Sequence, residues 1–149
     1  MKKIHITVSA SLNSKSGKLV FNSLAMDDIG LCTSTNRMTN LENPYSENDV
    51  GNALKVAIQL TKEKPFLDNS IRGSLHEQLG MTQSKFVKEY LQVMVDVMEE
   101  RSVYVFSPMR RYGTKGYTRN HGDKEMKLLL KADVEDLGKT LLEAFRYCK

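Results

Sequence analysis

The sequence predicts an α+β fold made of two pseudo-symmetric halves, each a mostly antiparallel β-sheet followed by an α-helix. The stretch DVGNALKVAIQLTK at residues 49–62 recurs in altered form as DLGKTLLEAFRYCK at residues 136–149, and runs of alternating apolar and polar residues precede each copy. With 149 residues, the chain has the length of one domain. We therefore expect a single domain spanning residues 1–149, whose repeated halves cover about residues 1–62 and 85–149.

Three strands are expected before the first copy of the repeat. The run KKIHITVSA alternates through Ile4, Ile6 and Val8, which is typical of a strand. The polar stretch NSKSG predicts a turn, and KLVFNSLAM predicts a second strand that DDIG interrupts. The segment TNRMTNLE then predicts a short strand that leads into the first helix.

Both copies of the repeat predict amphipathic helices of about four turns. The apolar residues that share one helical face are Val50, Leu54, Ala57 and Ile58 in the first copy, and Leu137, Leu141, Ala144 and Phe145 in the second. Ser46 and Asp133 stand where N-caps belong, and Pro65 ends the first helix. Gly51 and Gly138 occupy the first turns, where glycine weakens a helix. Their recurrence predicts that each helix closely approaches another element.

The second half begins with a strand, a turn and another strand. LQVMVDVM alternates with branched apolar residues, which favours a strand, although its Met, Leu and Gln residues also suit a helix. EERS predicts a tight turn and VYVFSPMRR a second strand, so we interpret the pair as a hairpin. Pro108 ends that strand or places it at a sheet edge. A polar loop, YGTKGYTRNHGD, then precedes a last strand in KEMKLLLK.

The segment between the halves predicts short helices and no domain boundary. SLHEQLG and TQSKFVKEY are each long enough for a short helix of about two turns. Either half alone is too small to bury a sufficient core, so the two halves are expected to fold together.

The composition excludes several classes of protein. The formal net charge of +4 permits an anionic partner but is small for a dedicated nucleic-acid-binding protein. Cys32 and Cys148 are too few for a disulfide scaffold, so we expect free thiols in a reducing compartment. The start MKKIHITVSA lacks the apolar core of a signal peptide, and no apolar run approaches the roughly 20 residues that span a bilayer. We expect a soluble cytoplasmic protein with no membrane partner.

Catalytic and metal-binding motifs are missing from the sequence. His5, His76 and His121 are widely spaced, and no HExxH, CxxC, phosphate-binding glycine loop or nucleophile-elbow pattern occurs. Folding could bring Cys32 next to His5, but a small buried thiol is the simpler interpretation of this cysteine. We expect no enzyme, no catalytic residue, no metal, no cofactor and no small-molecule substrate.

The most distinctive polar stretch runs from Arg110 to Lys131 and mixes basic with aromatic side chains. The candidate binding residues in it are Arg110, Arg111, Tyr112, Tyr117, Arg119 and His121. Arginine and tyrosine are enriched at protein–protein hot spots. The same mixture can also clamp phosphates and stack on bases, or form a solvated loop. Protein contact, nucleic-acid contact and a solvated loop all stay open on this evidence.

Three features together resemble the CdiI immunity proteins of bacterial contact-dependent growth inhibition: the DVGNAL and DLGKTLLEAF pair, the hairpin preceded by TQSKFVKEY, and the stretch SPMRRYGTKGY. The resemblance covers the chain from about Tyr45 onward. It implies a cytoplasmic protein without catalytic activity that binds the C-terminal toxin domain of its cognate CdiA effector, often a nuclease, and occludes its active site. It also implies a Whirly-like architecture, and the six candidates would then be toxin-binding residues.

The charge of the chain leaves two versions of this hypothesis open. An inhibitor that covers a cationic nuclease cleft is often acidic, whereas this chain is basic. Either the toxin presents an acidic surface, or an acidic patch of this chain makes the contact. The candidate acidic residues are Glu42, Glu47 and Asp49 in the first half and Asp133, Glu135 and Asp136 in the second. The alternative functions are a Whirly-like module that binds single-stranded nucleic acid and, third, an enzyme assembled from scattered His, Asp and Cys residues.

Overall fold

The computed structural model describes residues 4–149, and a six-stranded antiparallel sheet forms its centre. The strands are β1 (Ile6–Asn13), β2 (Leu19–Ser23), β3 (Ala25–Met26), β4 (Cys32–Thr33), β5 (Met38–Leu41), β6 (Tyr90–Met98), β7 (Val103–Pro108), β8 (Arg110–Tyr112), β9 (Gly116–Thr118) and β10 (Met126–Leu129). The helices are α1 (Glu47–Glu63), α2 (Leu75–Gln78), α3 (Gln83–Glu89) and α4 (Val134–Phe145). The first two residues of the predicted strand KKIHITVSA lie outside the described residues.

The large sheet is built from two equivalent halves joined at its centre. Its strand order is β10-β7-β6-β1-β2-β5, so three strands followed by one long helix occur in each half. β1 pairs antiparallel with β6, and Val8 lies opposite Val95. The α+β prediction is confirmed, but the two expected sheets are joined edge to edge into one. This pairing gives hydrogen-bond partners to two strand edges that would otherwise stay open.

The two repeated helices lie against each other at their first turns. A Cβ atom on Gly138 would lie 2.9 Å from the backbone nitrogen of Gly51 and closer still to the carbonyl oxygen of Glu47. A Cβ atom on Gly51 would in turn overlap the carbonyl oxygen of Val134. Glu47 and Val134 are the first residues of α1 and α4, so the contact is the same from both sides. The predicted close approach at the two glycines is confirmed, and the approaching element is the other copy of the repeat.

The predicted N-caps of both helices are confirmed. Ser46 accepts a hydrogen bond from the backbone nitrogen of Asp49 at 3.1 Å, and the Asp49 carboxylate accepts one from the Ser46 nitrogen at 2.9 Å. Asp133 accepts a hydrogen bond from the Asp136 nitrogen at 2.9 Å. These caps satisfy backbone donors that a helix leaves unpaired at its start.

The main hydrophobic core lies between α1, α4 and one face of the large sheet. The largest fully buried side chains there are Leu19, Phe21, Leu54, Phe106, Leu137 and Leu141. The odd-numbered residues of LQVMVDVM contribute to this core: Leu91, Val93, Val95 and Val97. The preference for strand over helix in that run is therefore confirmed, because only a period of two places all four on one face.

The opposite face of the sheet is partly covered by the two short helices. A second cluster there contains Val20, Leu75, Phe86, Val87 and Tyr90. The short helices predicted in SLHEQLG and TQSKFVKEY are confirmed as α2 and α3. The central strands carry mainly polar residues on this face, namely Thr7, Ser9, Ser11, Asn22 and Asp96, beside Met94.

Three sequence-based predictions need correction. KLVFNSLAM is not one strand but is divided into β2 and β3. At the break, the Arg37 guanidinium donates hydrogen bonds to the carbonyl oxygens of Ser23 and Leu24, at 3.2 and 3.1 Å. The second repeated helix ends at Phe145, short of four turns, since the backbone of Lys149 instead bonds to Met109 and Arg111. The first half of the predicted loop YGTKGYTRNHGD is not irregular, because it contains the end of β8 and all of β9, which pair as a ribbon.

Candidate functional site

The six candidate residues lie on the ribbon β8–β9 and the loop that follows it. In this ribbon Arg110 pairs with Thr118, Arg111 with Tyr117 and Tyr112 with Gly116. Gly113 adopts a φ of +56° in the connecting turn, a backbone conformation that residues other than glycine and asparagine rarely adopt. The ribbon packs beside α3, and Gln83 of that helix donates a hydrogen bond to the Lys115 carbonyl oxygen at 3.0 Å.

Arg111 and Tyr117 anchor the ribbon to the end of α3. The Arg111 Nε atom donates to the Val87 carbonyl oxygen at 2.7 Å, and its Nη2 atom donates to those of Lys88 and Tyr90 at 3.3 and 3.4 Å. The Tyr117 hydroxyl donates to the Tyr90 carbonyl oxygen at 2.7 Å, and burial raises the pKa of this phenol. A cation at a helix C-terminus also complements the helix dipole.

Arg110 and Arg119 hold the loop after β9. Arg110 makes a two-point contact with Asp123, with Nε–Oδ2 at 2.7 Å and Nη2–Oδ1 at 2.5 Å. The hydrogen bond from Arg110 holds the pKa of the Asp123 carboxyl well below its usual range. Arg119 donates to the carbonyl oxygens of Pro108, Lys124 and Asp123 at 3.3–3.4 Å. The three arginines of this stretch are thus already in contact with acceptors of the same chain.

Tyr112 and His121 are exposed candidates whose side chains make no hydrogen bond within residues 4–149. Arg111 is also exposed, but its guanidinium donates to backbone carbonyl groups. Tyr112 is 62% exposed at the tip of the ribbon, and His121 is exposed in the loop held by Asp123. The structure therefore gathers all six residues on the ribbon and its following loop but gives them two roles. Arg110, Arg111, Tyr117 and Arg119 fix its shape, whereas Tyr112 and His121 face outward.

Asp123 is the residue that sequence reasoning missed. Its carboxylate accepts from the Asn120 nitrogen at 2.9 Å as well as from Arg110. The stretch NHGD is a weak turn signal, and it is consistent with the contact between Asn120 and Asp123. The pairing with Arg110 depends on the course of the loop after β9, which no local pattern reveals.

The two candidate acidic patches meet in space. Asp49 and the three acidic residues of the second patch lie on or beside the first turns of α1 and α4, which are in contact near Gly51 and Gly138. Glu42 is separate from them and pairs with Lys18 at 3.5 Å. We call the combined surface the acidic surface; it comprises Glu47, Asp49, Asp133, Glu135 and Asp136. Within residues 4–149, none of these five carboxylates forms an ion pair.

Cys32 lies close to Thr7 and Asp96. The Cys32 Sγ atom is 3.7 Å from the Thr7 hydroxyl oxygen, and that hydroxyl donates to Asp96 Oδ1 at 2.6 Å. Burial raises the pKa of the Cys32 thiol, so the neutral form is favoured, and a neutral thiol is a poor nucleophile. This geometry therefore fits a structural thiol. In the part of the chain that the structure describes, no group of three or more His, Cys, Asp or Glu residues could hold a metal ion.

Asp96→Asn is expected to raise the melting temperature at pH 7. Burial raises the pKa of the Asp96 carboxyl above its unfolded value of about 4, so the charged form costs stability, whereas an amide keeps an acceptor for Thr7 without the charge. Below the raised pKa the wild-type carboxyl is protonated and this cost is absent; the cost appears as pH rises through the raised pKa. The melting temperatures of the variant and the wild type should therefore converge toward pH 4. Thermal unfolding at both pH values measures it. A variant that melts lower at pH 7 would show that the charge is stabilised in the fold.

No helix within residues 4–149 is long and apolar enough to cross a membrane. Neither a protein-family model nor a curated protein matches the sequence.

Solved structures share the fold over the whole chain. A protein of unknown function from Neisseria meningitidis, NMB0488, superposes with a TM-score of 0.72 at 13% sequence identity, covering 100% of this chain and 99% of the other. A chain of the CdiA-CT/CdiI toxin and immunity complex from Yersinia pseudotuberculosis superposes with a TM-score of 0.71 at 12% identity, covering 97% of this chain and 98% of the other. At these identities the similarity establishes the fold alone: the chain has the fold of a component of a toxin–immunity complex.

Proposed function

We propose that this protein is an immunity protein that binds the C-terminal toxin domain of a cognate CdiA effector in the cytoplasm and neutralises it. The observation that carries the proposal is the fold similarity to a chain of the Yersinia toxin and immunity complex, which extends over 97% of this chain.

The proposed contact surface is the ribbon β8–β9 with its following loop. Tyr112 and His121 would insert into the toxin, because exposed aromatic side chains on a rigid support gain contact area at low entropic cost. Arg110, Arg111, Tyr117 and Arg119 would act by holding this support in its bound shape. Their outer edges would form the polar rim of the interface.

The proposed mechanism is occlusion without turnover. One immunity protein would cover the active site of one toxin, and the toxin would be a nuclease. The phosphate-binding cleft of a nuclease is cationic, so the acidic surface at the α1–α4 contact is the second candidate for the contact. Its five carboxylates lack ion pairs within residues 4–149, which leaves their charge available for a cationic partner.

Binding of single-stranded nucleic acid is the less supported alternative. Arg110, Arg111 and Arg119 already donate to acceptors of their own chain, so fewer donors remain for phosphates. If this alternative holds, the protein should shift single strands in a gel at low salt and release them steeply as salt rises. An immunity protein should show no such shift.

The test is to co-express the chain with the toxin domain encoded by the adjacent effector gene. We expect restored growth and a one-to-one complex in gel filtration. The double variant Tyr112→Ala, His121→Ala should weaken the complex by about 1,000-fold, since hot-spot side chains contribute about 2 kcal/mol each. Gln59→Ala, on the exposed face of α1, is the matched control and should bind as the wild type does.

A second variant separates the two candidate surfaces. If Glu135→Gln, Asp136→Asn weakens binding and the Tyr112 and His121 variant does not, the acidic surface makes the contact. If cells stay unprotected and no complex forms with the folded wild type, the immunity function is wrong.

A further inference from the structure

An open cleft of about 300 Å³ lies on the polar face of the large sheet, between β1, β2 and β6 on one side and α2, α3 and β9 on the other. Its apolar walls are Leu24, Leu75, Phe86, Met94 and Tyr117. Phe86 and Tyr117 meet edge to face with ring centroids 6.2 Å apart, so the cleft has an aromatic side. This volume is at the lower end of the range for small-molecule sites.

Several polar groups converge on the cleft without a partner. The Ser9 side chain belongs to a residue that is only 5% exposed, and within residues 4–149 its hydroxyl makes no hydrogen bond. The buried Ser74 hydroxyl is also unpaired among the described residues, as is the side-chain amide of Gln92. Of these three groups, the Ser74 hydroxyl is the one closed off from solvent. Buried polar groups are normally satisfied, so its missing partner, beside two further unpaired groups, points to an occupant of the cleft.

The orientation of His76 adds an acceptor to this set. Its Nδ1 atom lies 3.0 Å from the Met81 carbonyl oxygen, which can only accept, so Nδ1 carries the proton. In the neutral ring the Nε2 atom is then an acceptor. Asn22 forms a fixed part of the wall, because its amide donates to the carbonyl oxygens of Thr35 and Arg37 at 2.9 and 3.0 Å.

We propose that this cleft binds a small, uncharged heterocycle that both donates and accepts hydrogen bonds, the chemistry of a nucleobase. The lining carries hydroxyl, amide and imidazole groups and an aromatic wall, and among residues 4–149 no Lys, Arg, Asp or Glu residue contributes to it. A charged group inside the cleft would therefore lose its hydration without gaining an opposite charge. The inference does not depend on toxin binding.

Methionine methyl labelling provides the test, with uridine and adenosine as probes. Met94 lines the cleft, whereas Met126 packs against the core on the opposite face of the sheet and is the internal control. A bound heterocycle should shift the Met94 methyl resonance saturably, with a dissociation constant of about 1 mM or tighter, and leave Met126 unmoved. Gln92→Leu should weaken binding about tenfold, whereas Gln59→Leu on α1 should not change it.

Two results would overturn the inference. One is that neither nucleoside shifts the Met94 methyl resonance at about 10 mM, ten times the expected dissociation constant, while the protein stays folded. The other is that the 5′-monophosphates bind at least about tenfold more tightly than the nucleosides, because that gain would come from cations outside the neutral cleft.

Discussion

Gly138→Ala is expected to lower the free energy of unfolding by about 2 kcal/mol or more, although alanine is the better helix former. The added Cβ atom would overlap the backbone of Glu47 and Gly51. Backbone atoms cannot rotate away as a side chain can, so α1 and α4 would have to separate. That strain outweighs the gain of about 1 kcal/mol in helix propensity. Urea unfolding followed by circular dichroism measures the change.

The pseudo-symmetry makes the same experiment possible from the other helix. Gly51→Ala should cost a similar amount, because its Cβ atom would overlap Val134 in the equivalent position. The double variant should lose less than the sum of the two, since one separation of the helices relieves both overlaps. Asn52→Ala, at an exposed position of α1, is the control and should stabilise slightly. Glycine variants as stable as the wild type would show that the helices are not in close contact.

Arg37→Met is expected to lower the free energy of unfolding by about 3 kcal/mol. Arg37 connects the end of α1 with the break between β2 and β3. Its Nη1 atom donates to the carbonyl oxygens of Leu60 and Lys64, at 2.5 and 2.9 Å. Its Nη2 atom donates to those of Ser23 and Leu24, as described above. Methionine keeps the apolar length of the side chain but removes all four of these charge-assisted hydrogen bonds. The carbonyl groups of Ser23, Leu24 and Leu60 keep one other donor each, whereas that of Lys64 loses its donor.

Two further substitutions serve as comparisons for Arg37→Met. Arg37→Lys should give an intermediate loss, because one ammonium group cannot reach two pairs of carbonyl groups as the planar guanidinium does. Arg146→Met removes an arginine whose side chain is 75% exposed and should cost less than about 1 kcal/mol. If Arg37→Met were no more destabilising than Arg146→Met, water would be replacing the guanidinium at these carbonyl groups.

The elements that could be predicted are those whose signal is local. The alternation in LQVMVDVM identified β6, and the caps at Ser46 and Asp133 identified the starts of α1 and α4. The six candidate residues were found as a group for the same reason, because they follow one another along one ribbon and its loop. The helix end at Phe145 was missed, since it depends on bonds from Lys149 to a distant strand.

By itself, the sequence determined the two-fold repetition, the α+β class and the demand of both glycines for a close neighbour, because each follows from residue spacing within one segment. Only the tertiary structure decided that β1 pairs with β6 to make one sheet, and that the two glycine helices pack against each other. It also decided which arginines serve the fold and where unpaired polar groups converge on a cleft. Those outcomes depend on contacts between residues far apart in the chain, and a linear pattern carries no record of which distant partners meet.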